Sequence, residues 1–265
     1  MSLDFDSDRA VVGMVHLDAL PGAPGFDGDR AAIREHMLRD ARRLESGGVD
    51  ALMLENFGDA PFYADDVPKH VVASMAALAD DVRSETDLPL GVNVLRNDAD
   101  AAVSVAAAAG AEFVRVNVHA AARLTDQGVV TGAAAETVRL RERLDADVSI
   151  LADVDVKHSA PLAERPLSEE VAELVERGWA DGLVASGSGT GHATSLDHLR
   201  SVVAARDELG VDAPVFVGSG VTRETVAETL DAADAVIVGT ALKENGETTA
   251  PVDEQRVRRL VDDAR

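Results

Sequence analysis

The sequence predicts a single α/β domain, residues 1–265, folded as a (β/α)8 TIM barrel. Eight short apolar, β-branched segments recur along the chain, and a helix-like segment follows each of them. No obvious linker divides the chain, and its length suits one barrel. The alternative, a doubly wound open sheet, would normally need fewer strands or a domain break.

The predicted strands are rich in valine and leucine, and most end in a polar residue or glycine. In chain order they are VVGMVHL (11–17), ALMLEN (51–56), LGVNVLR (90–96), FVRVNV (113–118), SILADVDVK (149–157), DGLVASG (181–187), VFVGSG (215–220) and AVIVGT (235–240). The predicted helices are amphipathic or alanine-rich and cover residues 29–46, 69–85, 99–109, 133–144, 168–177, 195–208, 223–230 and 253–263. Glycines in ESGGVDALML, AAAAGAEFVRV and ERGWADGLV predict left-handed helix caps.

Composition excludes several classes of partner. The chain has 48 acidic against 25 basic residues, a formal net charge of −23, which repels nucleic acid and anionic membranes. No segment approaches the ~20 apolar residues that a membrane helix needs. Cysteine is absent, and the first residues are acidic and unlike a signal peptide, so we expect a cytoplasmic protein. Many acidic residues with only three lysines are typical of halophilic proteins, which work in a high-salt cytoplasm.

Polar side chains at the strand ends predict the active site, because the carboxyl ends of barrel strands meet on one face. With a period of two, Asp153, Asp155 and Lys157 form a row on one side of the fifth strand. We predict that this row handles protons, opposed by Glu55 or His16 as a second acid or base. The predicted substrate-binding residues come from the other strand ends and are Asn93, Arg96, Arg115, Asn117, His158 and Ser186.

Glycine-rich turns after the last three strands predict a phosphate site. Loops after strands seven and eight form the recurrent phosphate site of barrels, where glycine lets backbone N–H groups approach the anion. The predicted phosphate-binding residues are Gly187, Gly189, Gly218, Ser219, Gly220, Gly239 and Thr240. Lys243 either counters the phosphate charge or packs along a helix surface.

Eight segments together resemble the BtpA/SgcQ family: GMVHLDALPGAPGF, ALMLENFGDAPFY, GVNVLRNDA, FVRVNV, ADVDVKHSAPL, ADGLVASGSGTG, VFVGSGVT and VIVGTALKENG. The resemblance covers nearly the whole chain in order. It implies a cytoplasmic, phosphate-binding TIM barrel, and it supplies no settled reaction. The family names come from photosystem I biogenesis and from a sugar-metabolism gene cluster.

The preferred hypothesis is an enzyme that acts on a phosphorylated sugar or ribosyl-phosphate compound by isomerisation, lyase chemistry or glycosidic cleavage. A Schiff base on Lys157 is less favoured, since two aspartates raise the lysine pKa. The sequence identifies no certain cofactor; Asp153, Asp155, Glu55 and His16 offer ligands suited to Mg²⁺ or Mn²⁺. The alternative is a non-catalytic binding or assembly factor of the photosystem I biogenesis type. Whether the chain forms a homo-oligomer stays open, because the sequence identifies no interface.

Overall fold

Eight parallel strands close into a barrel, as the sequence predicts. The computed structural model describes residues 7, 9–156, 158–187 and 194–265. Around the barrel the strands are β1 (Ala10–His16), β2 (Ala51–Glu55), β3 (Leu90–Asn93), β4 (Phe113–Val116), β7 (Ser149–Asp153), β9 (Gly182–Ala185), β10 (Val215–Val217) and β11 (Ala235–Val238), which pairs with β1.

Helices surround the barrel close to the predicted positions. They are α1 (Arg30–Gly47), α2 (Lys69–Glu85), α3 (Ala99–Ala109), α4 (Ala134–Arg143), α5 (Leu167–Ala172) continued by a π-helical turn (Glu173–Arg177), α6 (Leu196–Leu209), α7 (Val226–Leu230) and α8 (Glu254–Ala264). Helix α7 begins three residues later than predicted, because the backbone N–H of Thr222 donates to the Thr225 hydroxyl and residues 222–225 form a turn.

Alternation along the strands divides the core into two layers. In β1, Val12 and Met14 belong to the cluster inside the barrel, whereas Val11 and Val15 pack against the helices. Phe113 fills the barrel interior and lies over Gly91, where a Cβ atom would stand 2.1 Å from the phenyl ring. The barrel is therefore a packed core that holds its strand ends in fixed positions.

Two of the three predicted glycine caps have the expected geometry. Gly48 and Gly110 have φ of 91° and 66°. The prediction was wrong for ERGWADG, where Gly178 has φ −84° and Trp179 takes the positive φ of 55°. The π-helical turn adds a residue to this helix end. Glycine is needed at position 178 for lack of space, since a Cβ atom there would stand 2.7 Å from the Leu174 carbonyl oxygen.

A three-stranded antiparallel sheet lies outside the predicted barrel. Strands β5 (Ala122–Thr125) and β6 (Gly128–Thr131) form a hairpin after β4, and β8 (Ser159–Pro161) after β7 pairs with β5. Val118, Val130 and Val156 form a small buried cluster at this sheet. Because all three strands follow carboxyl ends of barrel strands, the sheet belongs to the face that carries the predicted site.

No helix in the described ranges is both long enough and apolar enough to pass through a bilayer.

Candidate active site at the barrel mouth

One cavity of about 470 Å³ brings together members of three predicted groups. Its wall contains His16 and Glu55 from the predicted acid–base set and Arg115 from the substrate-binding set. The predicted phosphate residues that line it are Gly218, Ser219, Gly220, Gly239 and Thr240. Its size falls within the range of small-molecule sites in proteins.

Glycines shape the wall of the cavity where phosphate binding is predicted. A Cβ atom on Gly218 would stand 2.6 Å from the Val184 side chain and 3.0 Å from the Arg115 guanidinium. One on Gly239 would stand 2.8 Å from the His16 ring. Gly220 has φ of 70°, a conformation in which glycine carries no steric cost. Backbone therefore forms this wall, and an anion can approach it closely.

His16 and Glu55 line the same cavity, and the His16 ring adjoins the wall that contains Gly239. His16 Nδ1 lies 3.2 Å from the Thr248 carbonyl oxygen, and its Nε2 lies 3.8 Å from a Glu55 carboxylate oxygen. A carbonyl oxygen can only accept, so Nδ1 carries a hydrogen and Nε2 is the atom that gains or loses a proton. The ring of Phe57, 4.8 Å away between centroids, supports the imidazole from the side.

Arg115 and Asp153 form a buried ion pair beside Gly218. The guanidinium Nε and Nη2 donate to the two carboxylate oxygens of Asp153 at 2.8 Å each, and Nη2 also donates to Ser186 Oγ at 3.2 Å. The side chain of Asp153 is 0% exposed. Asn117 donates to the same carboxylate at 3.2 Å, so hydrogen bonds satisfy both oxygens.

Asn93 and Arg96 lie at neighbouring strand ends and are buried. The amide nitrogen of Asn93 donates to the Arg115 carbonyl at 2.8 Å, and its Oδ1 is buried with no hydrogen-bond partner among the described residues. Burial lowers the pKa of Arg96, while the charge of Asp153 opposes that shift. Neither Asn93 nor Arg96 lines the 470 Å³ cavity.

The predicted row on the fifth strand does not continue past Asp153, because β7 ends there. Asp155 instead lies 2.8 Å from His198 Nε2 at the start of α6, and Arg123 approaches it at 3.4 Å. The hydrogen bond from His198 is the main cause that lowers the pKa of Asp155. His158 is exposed in the following turn, with φ of 53°. Lys157 and Gly189 lie outside the described residues, whereas Gly187 is described and buried directly after β9.

A metal centre built from Asp153, Asp155, Glu55 and His16 does not assemble. Hydrogen bonds from arginine and asparagine occupy Asp153, and Asp155 pairs with His198. Among the residues that the structure describes, no group of three histidine or acidic side chains is placed to hold a metal ion.

Two features of the site differ from the predictions. Arg256 and Arg259 of α8 also line the cavity, and the arginine-rich pattern QRVRR on the last helix was the available signal. Lys243 has neither predicted role: it is 1% exposed, and its Nζ donates to Asp40 of α1 at 2.8 Å.

Comparisons with known proteins agree with this architecture. The family model "BtpA family" matches residues 7–265. A protein of Thermococcus kodakarensis is 44% identical over 98% of this chain and 96% of its own length. "Photosystem I biogenesis protein BtpA" of Synechocystis is 39% identical over 97% of this chain and 88% of its own length.

Solved structures share the fold at low sequence identity. N-(5'-phosphoribosyl)anthranilate isomerase from Pyrococcus furiosus superposes with a TM-score of 0.57 at 13% identity, covering 97% of this chain and 98% of that one. Tryptophan synthase from M. tuberculosis gives a TM-score of 0.61 at 19% identity, covering 97% and 94%.

Proposed function

This chain belongs to the BtpA family, and we propose that it is an enzyme that transforms a phosphorylated sugar or ribosyl-phosphate compound by acid–base chemistry. The observation that carries the proposal is the composition of one cavity. Phosphate-type glycine turns and a histidine–carboxylate pair adjoin each other in its wall. A ligand anchored by its phosphate group at the glycine turns presents the neighbouring sugar carbons and hydroxyls to the histidine–carboxylate pair.

In this proposal the phosphate group binds the backbone of the turns after β10 and β11. Gly218, Gly220 and Gly239 leave that backbone bare, and Ser219 and Thr240 bring hydroxyl groups to the same wall. The phosphate is bound through its charge and shape, so this binding energy holds the substrate while its sugar part reacts.

His16 is the proposed proton-transfer residue. Its Nδ1 is held by the Thr248 carbonyl, which leaves Nε2 to exchange a proton with the substrate. Glu55, 3.8 Å away, stabilises the imidazolium that forms after His16 takes a proton. Arg115 then faces negative charge that develops on a substrate oxygen, within a buried setting where such stabilisation is strong.

Asp153 receives a positioning role in place of the predicted proton transfer. Its two oxygens hold the guanidinium of Arg115, and a fully buried, salt-bridged carboxylate has no route to exchange protons with substrate. Asp155 is paired with His198 and does not line this cavity, so the scheme gives it no proton transfer. Lys157 lies outside the described residues and stays a predicted catalytic residue. Mg²⁺ or Mn²⁺ enters no step of this scheme.

The second candidate is a non-catalytic assembly factor, which the name of the Synechocystis relative favours. Against it, a Caenorhabditis elegans relative is 30% identical over 97% of this chain, so the shared fold is not restricted to organisms with a photosystem. A pure scaffold also has no need of a histidine–carboxylate pair beside a phosphate-type cradle.

The test begins with binding. Thermal unfolding is followed with inorganic phosphate, a panel of sugar phosphates, and the matching unphosphorylated sugars. We expect stabilisation by the phosphorylated members only, because a ligand raises stability by RT ln(1 + [L]/Kd). Gly220→Asp should abolish it through charge repulsion, whereas Gly220→Asn, which has the same shape and the same tolerance of positive φ, should retain most of it.

Chemistry is tested with the compounds that bind. Each is incubated with the protein in D₂O and analysed by mass spectrometry for product or incorporated deuterium. His16→Asn should bind the compound normally and slow turnover or exchange by roughly 10²-fold or more. Binding without turnover in the wild-type protein across the whole panel would favour the assembly-factor hypothesis.

A further inference from the structure

The cavity is longer than a single phosphate site, and its far part is cationic. Beyond the glycine turns it continues along α8, where Arg256, Arg259 and Leu260 line it, and Arg223 and Glu224 of the loop after β10 face it. Nothing in the acid–base scheme uses this part of the cavity.

Two of these arginines are not neutralised. Most arginines of the chain lie within 4.0 Å of a carboxylate: Arg223 pairs with Asp263, and Arg258 on the same helix pairs with Glu254. Within the described ranges no such ion pair involves Arg256 or Arg259. In a chain of net charge −23, two uncompensated cations beside one cavity indicate an anionic ligand group.

The two arginines lie on one face of α8, beside the cavity. Arg256 Nε donates to the Ala241 carbonyl at 3.0 Å, which places this arginine directly beside the turn after β11. Arg259 follows three residues later, on the same helix face and about 4.5 Å further along the axis. Its Nη2 donates to Gln255 at 3.1 Å, a neutral partner that leaves its positive charge uncompensated.

We propose that the ligand carries a second phosphoryl group next to the first, as in a diphosphate ester, and that Arg259 binds it. The first phosphoryl group occupies the glycine turns with Arg256 at its edge, and the second lies one step along α8. This inference rests on the proposed function, and it names the class of substrate: a phosphorylated compound with two adjacent phosphoryl groups.

Inorganic phosphate and pyrophosphate are the probes, measured by calorimetry at constant ionic strength without divalent cations. We expect wild-type protein to bind pyrophosphate about tenfold more tightly than phosphate. Arg259→Gln should reduce this preference to about twofold and leave the phosphate affinity nearly unchanged. Arg256→Gln should weaken both anions, since this arginine borders both positions. Arg258→Gln, an exposed and paired neighbour on the same helix, is the matched control and should behave as wild type.

Two outcomes overturn the inference while leaving the phosphate site intact: equal affinity for the two anions in wild-type protein, or a tenfold preference that survives in Arg259→Gln. A preference lost equally in Arg258→Gln would also overturn it, because general surface charge would then be the cause. Failure of the wild-type protein to bind either anion would instead refute the proposed function, and this inference with it.

Discussion

Replacing either member of the Arg115–Asp153 pair should destabilise the protein strongly. Both side chains are nearly inaccessible, 4% and 0% exposed, and two hydrogen bonds of 2.8 Å join them. Removal of one partner from such a pair leaves a buried, uncompensated charge and costs about 3–5 kcal/mol. For a chain of this length that corresponds to a decrease in the melting temperature of roughly 6–20 °C. We expect this loss in Asp153→Asn and in Arg115→Met.

The double variant Arg115→Met/Asp153→Leu tests the reason for that loss. Apolar side chains of similar size remove both charges together, and such replacements of buried pairs are often neutral or stabilising. The double variant should therefore be more stable than either single one, by urea unfolding at fixed KCl concentration. Two results would refute the assignment of Asp153 as the structural partner of Arg115. One is a loss of less than about 1 kcal/mol in the free energy of unfolding for each single variant. The other is a loss in the double variant that equals the sum of the two single losses.

Two further predictions concern other ion pairs. Asp40→Asn should lower the free energy of unfolding by about 3 kcal/mol or more, because it leaves the buried ammonium of Lys243 without its carboxylate. This loss should increase as pH falls. Burial lowers the pKa of Lys243, so the unfolded lysine binds the proton more readily than the folded one. The opposite pH profile, measured by urea unfolding between pH 6 and 9, would contradict this. The hydrogen bond between His198 and Asp155 raises the pKa of the histidine and lowers that of the aspartate, so the pair stabilises the fold most between about pH 4 and 6.5 and loses its effect as pH rises through the histidine pKa. His198→Gln should therefore lower the free energy of unfolding at pH 5.5, by less than about 1 kcal/mol because the pair is partly exposed. It should have no effect at pH 9. A difference that does not change with pH would contradict this prediction.

The barrel itself was predictable because local patterns and tertiary structure agree. Each strand is a short β-branched run, each is followed by an amphipathic or alanine-rich helix, and helices α2 and α3 begin and end at the predicted residues. The added sheet was missed because its strands are only three or four residues long and bury little. In β6 only Val130 is buried, so the pattern of apolar and polar residues hardly differs from that of a polar loop.

The site was predictable in its glycine turns and unpredictable in its charge pairing. A turn after a strand is defined by neighbours in sequence, whereas the partner of a long charged side chain depends on which helix packs beside it. Lys243 bonds to a residue 203 positions away, and Asp155 pairs with a histidine on α6, beyond α5 and β9. Extrapolating a period of two beyond Asp153 also assumed a longer strand than β7.

The pairing of arginines separates structural from ligand-binding roles in a protein with so large an excess of acid. Long-range repulsion between an anionic substrate and a surface of net charge −23 extends only about 8 Å at physiological ionic strength and about 3 Å at 1 M salt. An anion is therefore recognised by the groups that touch it. Arg115 is charge-balanced by Asp153, while Arg256 and Arg259 line the cavity with no carboxylate of the described residues within 4.0 Å. In so acidic a chain, these two cations are therefore more informative about the ligand than any glycine in the proposed phosphate turns.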